Sequence, residues 1–247
     1  MKYKLTEETK VVEGYTLHRI ECITAFSDVE VGDKGGWIEK EDNLSQQGDA
    51  WVYGNAWVSG NASVSGNARV YGNAWVSGNA RVSGNAWVYG NAWVSGNAWV
   101  SDDARVYGNA RVSGDAWVSD DARVSGDARV YGNAWVYGNA WVSDDARVYG
   151  NARVSGNARV SGDARVSGYA WVSGNAMVSG INDYIVFKNN FSSGRYFTWT
   201  KSNDMWSVGC FYGTGEELIK KAYADGETKG KCYEAYVRLV EELKKNM

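Results

Sequence analysis

Ala50-Trp51-Val52-Tyr53-Gly54-Asn55 is a six-residue phrase that the chain goes on repeating until Ala176-Met177-Val178-Ser179. Its terms are a small residue, Trp or Arg, Val, Ser or Tyr, Gly or Asp, and Asn or Asp. Twenty-two copies follow one another without insertion or deletion, in a chain of 247 residues that contains no proline. A fixed short period dictates architecture and is read before anything else. Within each copy Ala and Val lie two apart, so on an extended strand both point to one side and Trp or Arg points to the other. Val favours a strand, and the Gly-Asn, Gly-Asp or Asp-Asp pair after it tolerates positive φ and turns the chain. The pattern reads strand, corner, strand, corner, with Ala and Val inside. No helix fits, because Val recurs every six residues and Gly breaks every turn.

A second period fixes the number of strands per coil. Tyr53, Tyr71, Tyr89 and Tyr107 are eighteen apart. So are Trp57, Trp75 and Trp93, continued in register by Arg111, Arg129, Arg147 and Arg165. Three hexapeptides per coil make a three-sided prism in which like residues stack. At about 4.8 Å between stacked strands, some seven coils give a rod roughly 34 Å long.

Val64-Ser65-Gly66-Asn67-Ala68-Arg69, with many later copies, resembles the bacterial hexapeptide-repeat pattern of an aliphatic residue followed four positions on by a small one. The resemblance implies a left-handed parallel β-helix. Handedness rests on that likeness alone, since the general rule for parallel crossovers favours right-handed ones. Ser or Tyr after Val departs from the small or acidic residue usual there. The expected fold class is thus mainly β, with an N-terminal β cap and a small C-terminal α+β domain.

Residues 1–49 are expected to form the cap. Lys2–Thr6 and Thr16–Ile23 alternate around Glu13-Gly14 as a hairpin does. Gly35-Gly36-Trp37-Ile38 and Asn43-Leu44-Ser45 look like degenerate coil pieces. A β-helix exposes unpaired edges at both ends, so caps are required against end-to-end growth. The rod occupies residues 50–180. Residues 181–247 read as three strands (Tyr184–Lys188, Tyr196–Lys201, Met205–Tyr212) and two helices. Thr214-Gly215-Glu216-Glu217 is a capping box for the first helix, and Tyr233, Tyr236, Val237, Val240 and Leu243 mark the second. Gly35-Gly36-Trp37-Ile38-Glu39, Asn43-Leu44-Ser45-Gln46 and Trp206–Gly215 also resemble uncharacterised hexapeptide-repeat proteins of phages and prophages.

Composition narrows the function classes. No apolar run is long enough to cross a membrane and Met1-Lys2-Tyr3-Lys4 leads into polar residues, so no membrane partner and no signal peptide are expected. Cys22, Cys210 and Cys232 lack metal-like spacing and suit free thiols in a reducing cytoplasm. A net charge of −3 argues against a general DNA binder. That charge is uneven: the first 49 residues hold 11 acidic and 6 basic side chains, the rod 9 Asp and 10 Arg.

Most known enzymes with the coil that the resemblance implies are acyltransferases, which use a histidine as general base near an extended loop. Here His18 is the single histidine, it falls in the cap hairpin, and no coil carries a loop to cover a substrate. A general base must reach its proton, so no catalytic residue and no cofactor are expected, and a hexapeptide-repeat acyltransferase is the alternative reading. Gly213-Thr214-Gly215 could hold an anion at a helix start, but its capping role suffices.

The Trp and Arg columns are the unusual feature. One face runs Trp57, Trp75, Trp93, Arg111, Arg129, Arg147, Arg165. A second runs Ser63, Arg81, Trp99, Trp117, Trp135, Arg153, Trp171. The third alternates Trp51, Arg69, Trp87, Arg105, Arg123, Trp141, Arg159 beside the Tyr53–Tyr107 column. Such ladders could merely hold the rod together through cation–π contacts. Ten outward Trp are also more contiguous apolar surface than monomers usually expose, and Trp, Tyr and Arg are enriched in interface hot spots. The expected function is a non-catalytic binding or assembly protein, whose partner is a second copy of itself or a host protein. Nucleotide or single-stranded nucleic acid is the alternative ligand, through stacking plus guanidinium contacts. Codons for Trp and Arg, Ser and Tyr, or Asn and Asp differ by one base, so part of the alternation can reflect duplication and drift.

Overall fold

The computed structural model describes residues 1–246 and resolves the repeats into a coil with three parallel sheets. Each copy contributes a two-residue strand, Trp-Val or Arg-Val in most copies, paired with the strand eighteen residues away. Face one pairs Trp57 with Trp75, Trp93 with Arg111, and Arg129 with Arg147. Face two pairs Trp99 with Trp117, and face three Trp87 with Arg105. Every repeat Ala and Val from Ala50 to Val178 is buried. The core is therefore a continuous thread of small aliphatic side chains, the expected result of an in–out period of two.

The corners explain the Gly-Asn signature. Gly90 has φ 74°, and a Cβ there would meet the Gly108 carbonyl oxygen of the next coil at 2.9 Å. Both the backbone conformation and the close stacking of corners thus select glycine. Asp102, Asp120 and Asp144 adopt the same left-handed conformation, with φ between 55° and 58°. All three recover some of that strain: Asp102 Oδ2 accepts from Asp120 N at 3.5 Å, Asp120 Oδ2 from Gly138 N at 2.9 Å, and Asp144 Oδ2 from Gly162 N at 3.1 Å. Beside the glycines runs an amide ladder. Asn73 donates to Asn91 (3.1 Å), Asn91 to Asn109 and Asn109 to Asp127 (3.0 Å each). A carboxylate has no N–H to pass on, so the ladder stops at Asp127.

The coil begins earlier than the regular repeats do. Lys34–Ile38 is already a strand of face one, with Trp37 beside Trp57 in parallel register, and Leu44 bridges to Val64 on face two. That first coil is two residues longer than the rest, the excess lying in the loop before Ala50. Ahead of it, Tyr3–Val12 and Tyr15–Cys22 form the hairpin. It runs antiparallel to Lys34–Ile38 and extends face one beyond the coil. The first strand is longer than the sequence suggests and carries a register shift between Leu5 and Thr9.

Hydrogen bonding gives the rod a direction. N–H groups point to the following coil, as in Trp51 N to Ala68 O at 3.0 Å. The N-terminal end therefore presents carbonyls and the C-terminal end presents N–H groups. Each end is met by side chains of the matching kind. At the carbonyl end, Lys2 Nζ donates to Gly48 O (3.1 Å) and Ala50 O (2.6 Å). Asn43 Nδ2 donates to Gly60 O (3.1 Å) and Ala62 O (2.8 Å), and Tyr3 OH to Leu44 O (2.7 Å). Burial pushes the Lys2 ammonium down to about 8 despite the nearby Asp49 carboxylate.

At the N–H end the partners are oxygen acceptors. Thr198 Oγ1 accepts from Trp171 N at 2.8 Å, and Ser202 Oγ accepts from Met177 N at 2.7 Å. Asp183 Oδ2 accepts from Ser179 N (2.7 Å), Gly180 N (2.8 Å) and the Ser179 hydroxyl (2.9 Å). Burial would raise the Asp183 pKa, but these donors outweigh it and hold the carboxyl below its ordinary value. The unfolded chain then binds the proton more readily, so Asp183 stabilises the fold at neutral pH and that stabilisation is lost as pH falls below about 4. Thermal melts between pH 5 and 3 should show a steeper loss for the parent than for Asp183→Asn; equal slopes would refute this role.

The acceptors at this end belong to the C-terminal domain. Its sheet has four antiparallel strands, Tyr184–Lys188, Tyr196–Thr200, Met205–Val208 and Phe211–Gly213, and not three. The third expected strand is split because Gly209, at φ 58°, makes a tight turn and folds Phe211 back onto Val208. Helices α1 (Gly215–Asp225) and α2 (Glu227–Lys244) cover one side. The Thr214 capping box opens α1 as expected: Thr214 Oγ1 accepts from Glu217 N at 3.2 Å and Glu217 Oε2 from Thr214 N at 2.9 Å. Phe197, Trp199, Trp206, Leu218, Tyr233 and Val237 form a core separate from the rod's. Among the described residues no helix is long and apolar enough to cross a membrane.

Candidate functional site

Outward side chains stack in columns because parallel strands bring residue i over residue i+18. Trp75 and Trp93 stack at 4.6 Å and 6°, Trp99 and Trp117 at 5.0 Å and 4°. Rings so arranged hide their faces against one another and present only edges. For six of the ten rod tryptophans the preceding coil supplies a serine hydroxyl to the indole N–H. Trp75 Nε1 donates to Ser59 Oγ (3.5 Å), Trp93 to Ser77 (3.4 Å) and Trp141 to Ser125 (2.9 Å). Seven of the ten rod tryptophans have Ser sixteen residues earlier, a relation readable in the sequence once the coil is drawn; Trp87 has Tyr71 there instead. Trp37 opens the stack without a coil before it, and its buried indole N–H has no acceptor.

The aromatic half of face one is not the open surface that the sequence suggests. The hairpin folds against it, so that Leu17, Trp37 and Trp57 form a small core with Tyr15 and Trp75 at its edge. Trp57 is only 9% exposed, and Trp51 on face three is covered by Tyr3 and Phe26. Nor are the ten rod tryptophans a broad apolar patch. Only Trp87, Trp99 and Trp135 count as exposed, at 37–40%.

The arginine half of face one is open. Arg111, Arg129 and Arg165 are exposed and Arg147 half-buried. Strand pairing sets them in one column. Of the rod's arginines, Arg69 alone is paired with a carboxylate among the described residues, through two contacts to Asp28 at 2.9 and 2.8 Å. Adjacent guanidinium groups about 4.8 Å apart repel by about 1 kcal/mol even in bulk water, so the column favours an anion alongside. Between it and the neighbouring column lies a shallow groove of about 310 Å3, bordered by Trp93, Arg111, Arg129, Arg147, Tyr131 and two serines, with no carboxylate in its wall. The Asp127, Asp145 and Asp163 corners lie on the other flank of the arginines.

The remaining expected positions divide. Tyr71, Tyr89 and Tyr107 stack at 4.8 and 4.9 Å, with Tyr71 edge-on to Trp87. Tyr53 is set apart: it donates to Asp28 at 3.3 Å, and burial pushes its phenol up to about 12 against the opposing Arg69 charge. On face two Trp135 tilts 60° from Trp117, beneath the Arg153 guanidinium 5.2 Å from its centroid. A cavity of about 250 Å3 opens there, beside Ser119, Asp120 and Tyr137. His18 sits half-buried in the hairpin, opposite Thr9 and Ile38, away from both open grooves. Among the described residues no His, Cys, Asp and Glu group could hold a metal ion.

This uninterrupted three-sheeted coil, of about eight turns, defines a β-solenoid repeat protein. Its repeats match the YdcK β-solenoid repeat in nine segments: 62–78, 76–90, 86–102, 104–120, 118–132, 122–138, 128–144, 146–160 and 158–174. The "uncharacterized acetyltransferase YdcK" of Escherichia coli (strain K12) is 37% identical over 60 residues, which make up 21% of this chain and 18% of that protein. The likeness therefore spans under a fifth of the relative's length.

Proposed function

We propose that this protein is a non-catalytic binding protein whose rod presents the open half of face one to an anionic partner. The carrying observation is the column Arg111, Arg129, Arg147 and Arg165, none of which is paired with a carboxylate among the described residues. What sets this column apart from the rod's other unpaired arginines is that four of them stack without a break and three of them border one groove that holds no carboxylate. The resemblance of the cap and tail to phage and prophage proteins extends the proposal to a host factor as that partner. Self-association through Trp99, Trp117 and Trp135 is a further part of it, limited by the small exposed area of those stacked rings.

The printed name of the relative favours one rival, acyl transfer. Against it stands the placement of His18 in the hairpin, with no other histidine in the chain to act as general base. A pull-down from lysate with the parent and with Arg111→Gln/Arg129→Gln/Arg147→Gln separates the two readings. Retention lost in the triple variant, with no acetyl-CoA turnover by the parent, is the expected result. Turnover of acetyl-CoA that survives the triple change would sink the binding reading.

A further inference from the structure

The groove on face one has a shape that repays attention at its floor. Tyr131 and Tyr149 stack at 5.0 Å and 2°, which covers one face of the Tyr131 ring. The column does not continue upward: the same position in the two preceding coils is Ser113 and then Ser95. The other face of Tyr131 therefore borders a gap that spans the two coils of Ser113 and Ser95, and that gap is the groove. Where the column runs on, as in Tyr71, Tyr89 and Tyr107, tyrosine rings fill the equivalent space.

The serines are also released from their usual work. Ser59 and Ser77 accept indole N–H groups from Trp75 and Trp93. The residues that would do the same for Ser95 and Ser113 are Arg111 and Arg129. Their hydroxyls are left without a hydrogen-bond partner among the described residues. A planar stacking surface, two free hydroxyls and three guanidinium groups thus meet in one groove.

We infer that this groove binds a nucleotide, a deepening of the binding reading above that rests on it. The base lies on the free face of Tyr131, in the space over Ser113, and continues the aromatic column. The phosphates lie along Arg111, Arg129 and Arg147, where planar guanidinium groups match phosphate oxygens in paired hydrogen bonds. Ser95 and Ser113 supply hydroxyls to the sugar or to the base edge. Two or more phosphates suit the column, because each further arginine adds a partner one coil along. Stacking of this kind tolerates any base, so discrimination between bases is weak.

Isothermal titration with ATP, GTP, adenosine and inorganic tripolyphosphate tests this on the full chain. ATP and GTP should bind alike, adenosine far more weakly, and added salt should weaken the nucleotides. Arg129→Gln should reduce ATP affinity by about tenfold or more. Ser95→Tyr/Ser113→Tyr is the decisive variant, since tyrosine is native to this column at Tyr131 and Tyr149 and both serine coils are then occupied. It fills the gap, and should weaken ATP by about tenfold while leaving tripolyphosphate within about threefold. ATP affinity unchanged in both variants, or tripolyphosphate binding as tightly as ATP, overturns the proposal. Absence of nucleotide binding beside an arginine-dependent pull-down overturns it too, yet leaves the broader binding reading standing.

Discussion

Val112→Asp should unfold the middle of the rod, lowering stability by about 4 kcal/mol or more. Val112 is fully buried and stacked between Val94 and Val130, with Ala110 beside it. All its neighbours are aliphatic, and their backbone groups are already spent on the coil-to-coil ladder. A carboxylate placed there finds neither a counter-charge nor a free donor. Protonation removes the charge but leaves an unpartnered acid in a space shaped for valine. The adjacent Arg111→Gln is the control: an exposed side chain loses one cation–π contact with Trp93, 5.4 Å from its centroid, and should cost under about 1 kcal/mol. Urea melts of both variants read the result directly. Similar losses in the two would mean that the in–out register of the strands is wrong.

Asn43→Leu should be nearly as damaging, at about 3 kcal/mol, although it sits outside the regular repeats. The side chain is 0% exposed and holds three backbone groups at once: Gly60 O, Ala62 O and, through its carbonyl, Lys40 N at 2.9 Å. Leucine matches the shape and supplies none of those partners. Each buried group left unmade costs about 1–3 kcal/mol, and shared relaxation keeps the total below the sum. A melting temperature within a degree or two of the parent would show that water reaches this edge and that the cap is looser than described.

These two residues show how differently the fold was written. Val112 was legible at once, because a six-residue period repeated without a break leaves one possible interior. The two degenerate pieces before Ala50 were legible for the same reason: Trp37-Ile38 and Leu44 still follow the rule of the coil. Asn43 and Lys2 were not legible. Their roles depend on which end of a directional ladder they meet, and no local pattern announces a lone amide or ammonium as a cap. The fourth C-terminal strand was hidden by a similar shortage of signal, since one glycine at positive φ turns the eight-residue stretch Met205–Tyr212 into a hairpin.

The candidate site was half legible. The column from Trp57 to Arg165 could be listed from spacing, and the structure keeps it in order. Its exposure could not be listed, because the hairpin that covers Trp57 is brought there by packing and not by sequence proximity. What the sequence did contain, unnoticed until the coil was drawn, was the offset of sixteen between most of the rod tryptophans and a Ser. That offset is what marks Ser95 and Ser113 as vacated positions.

The ladder that joins each residue to the one eighteen places on has a last consequence, for how such a chain can change length. Duplication or loss of a full eighteen residues lengthens or shortens the rod by one storey and returns every column to its own face. Six or twelve residues are a different matter. They preserve the core, the corners and the period, yet turn everything downstream by one or two sides of the prism. Arg111 to Arg165 would then continue the column of Trp99 or that of Trp87 instead of Trp93's, and the C-terminal domain would dock over another side. Growth in single phrases is tolerated by folding but reshuffles the surface, so a binding face can persist only in a lineage that counts in threes.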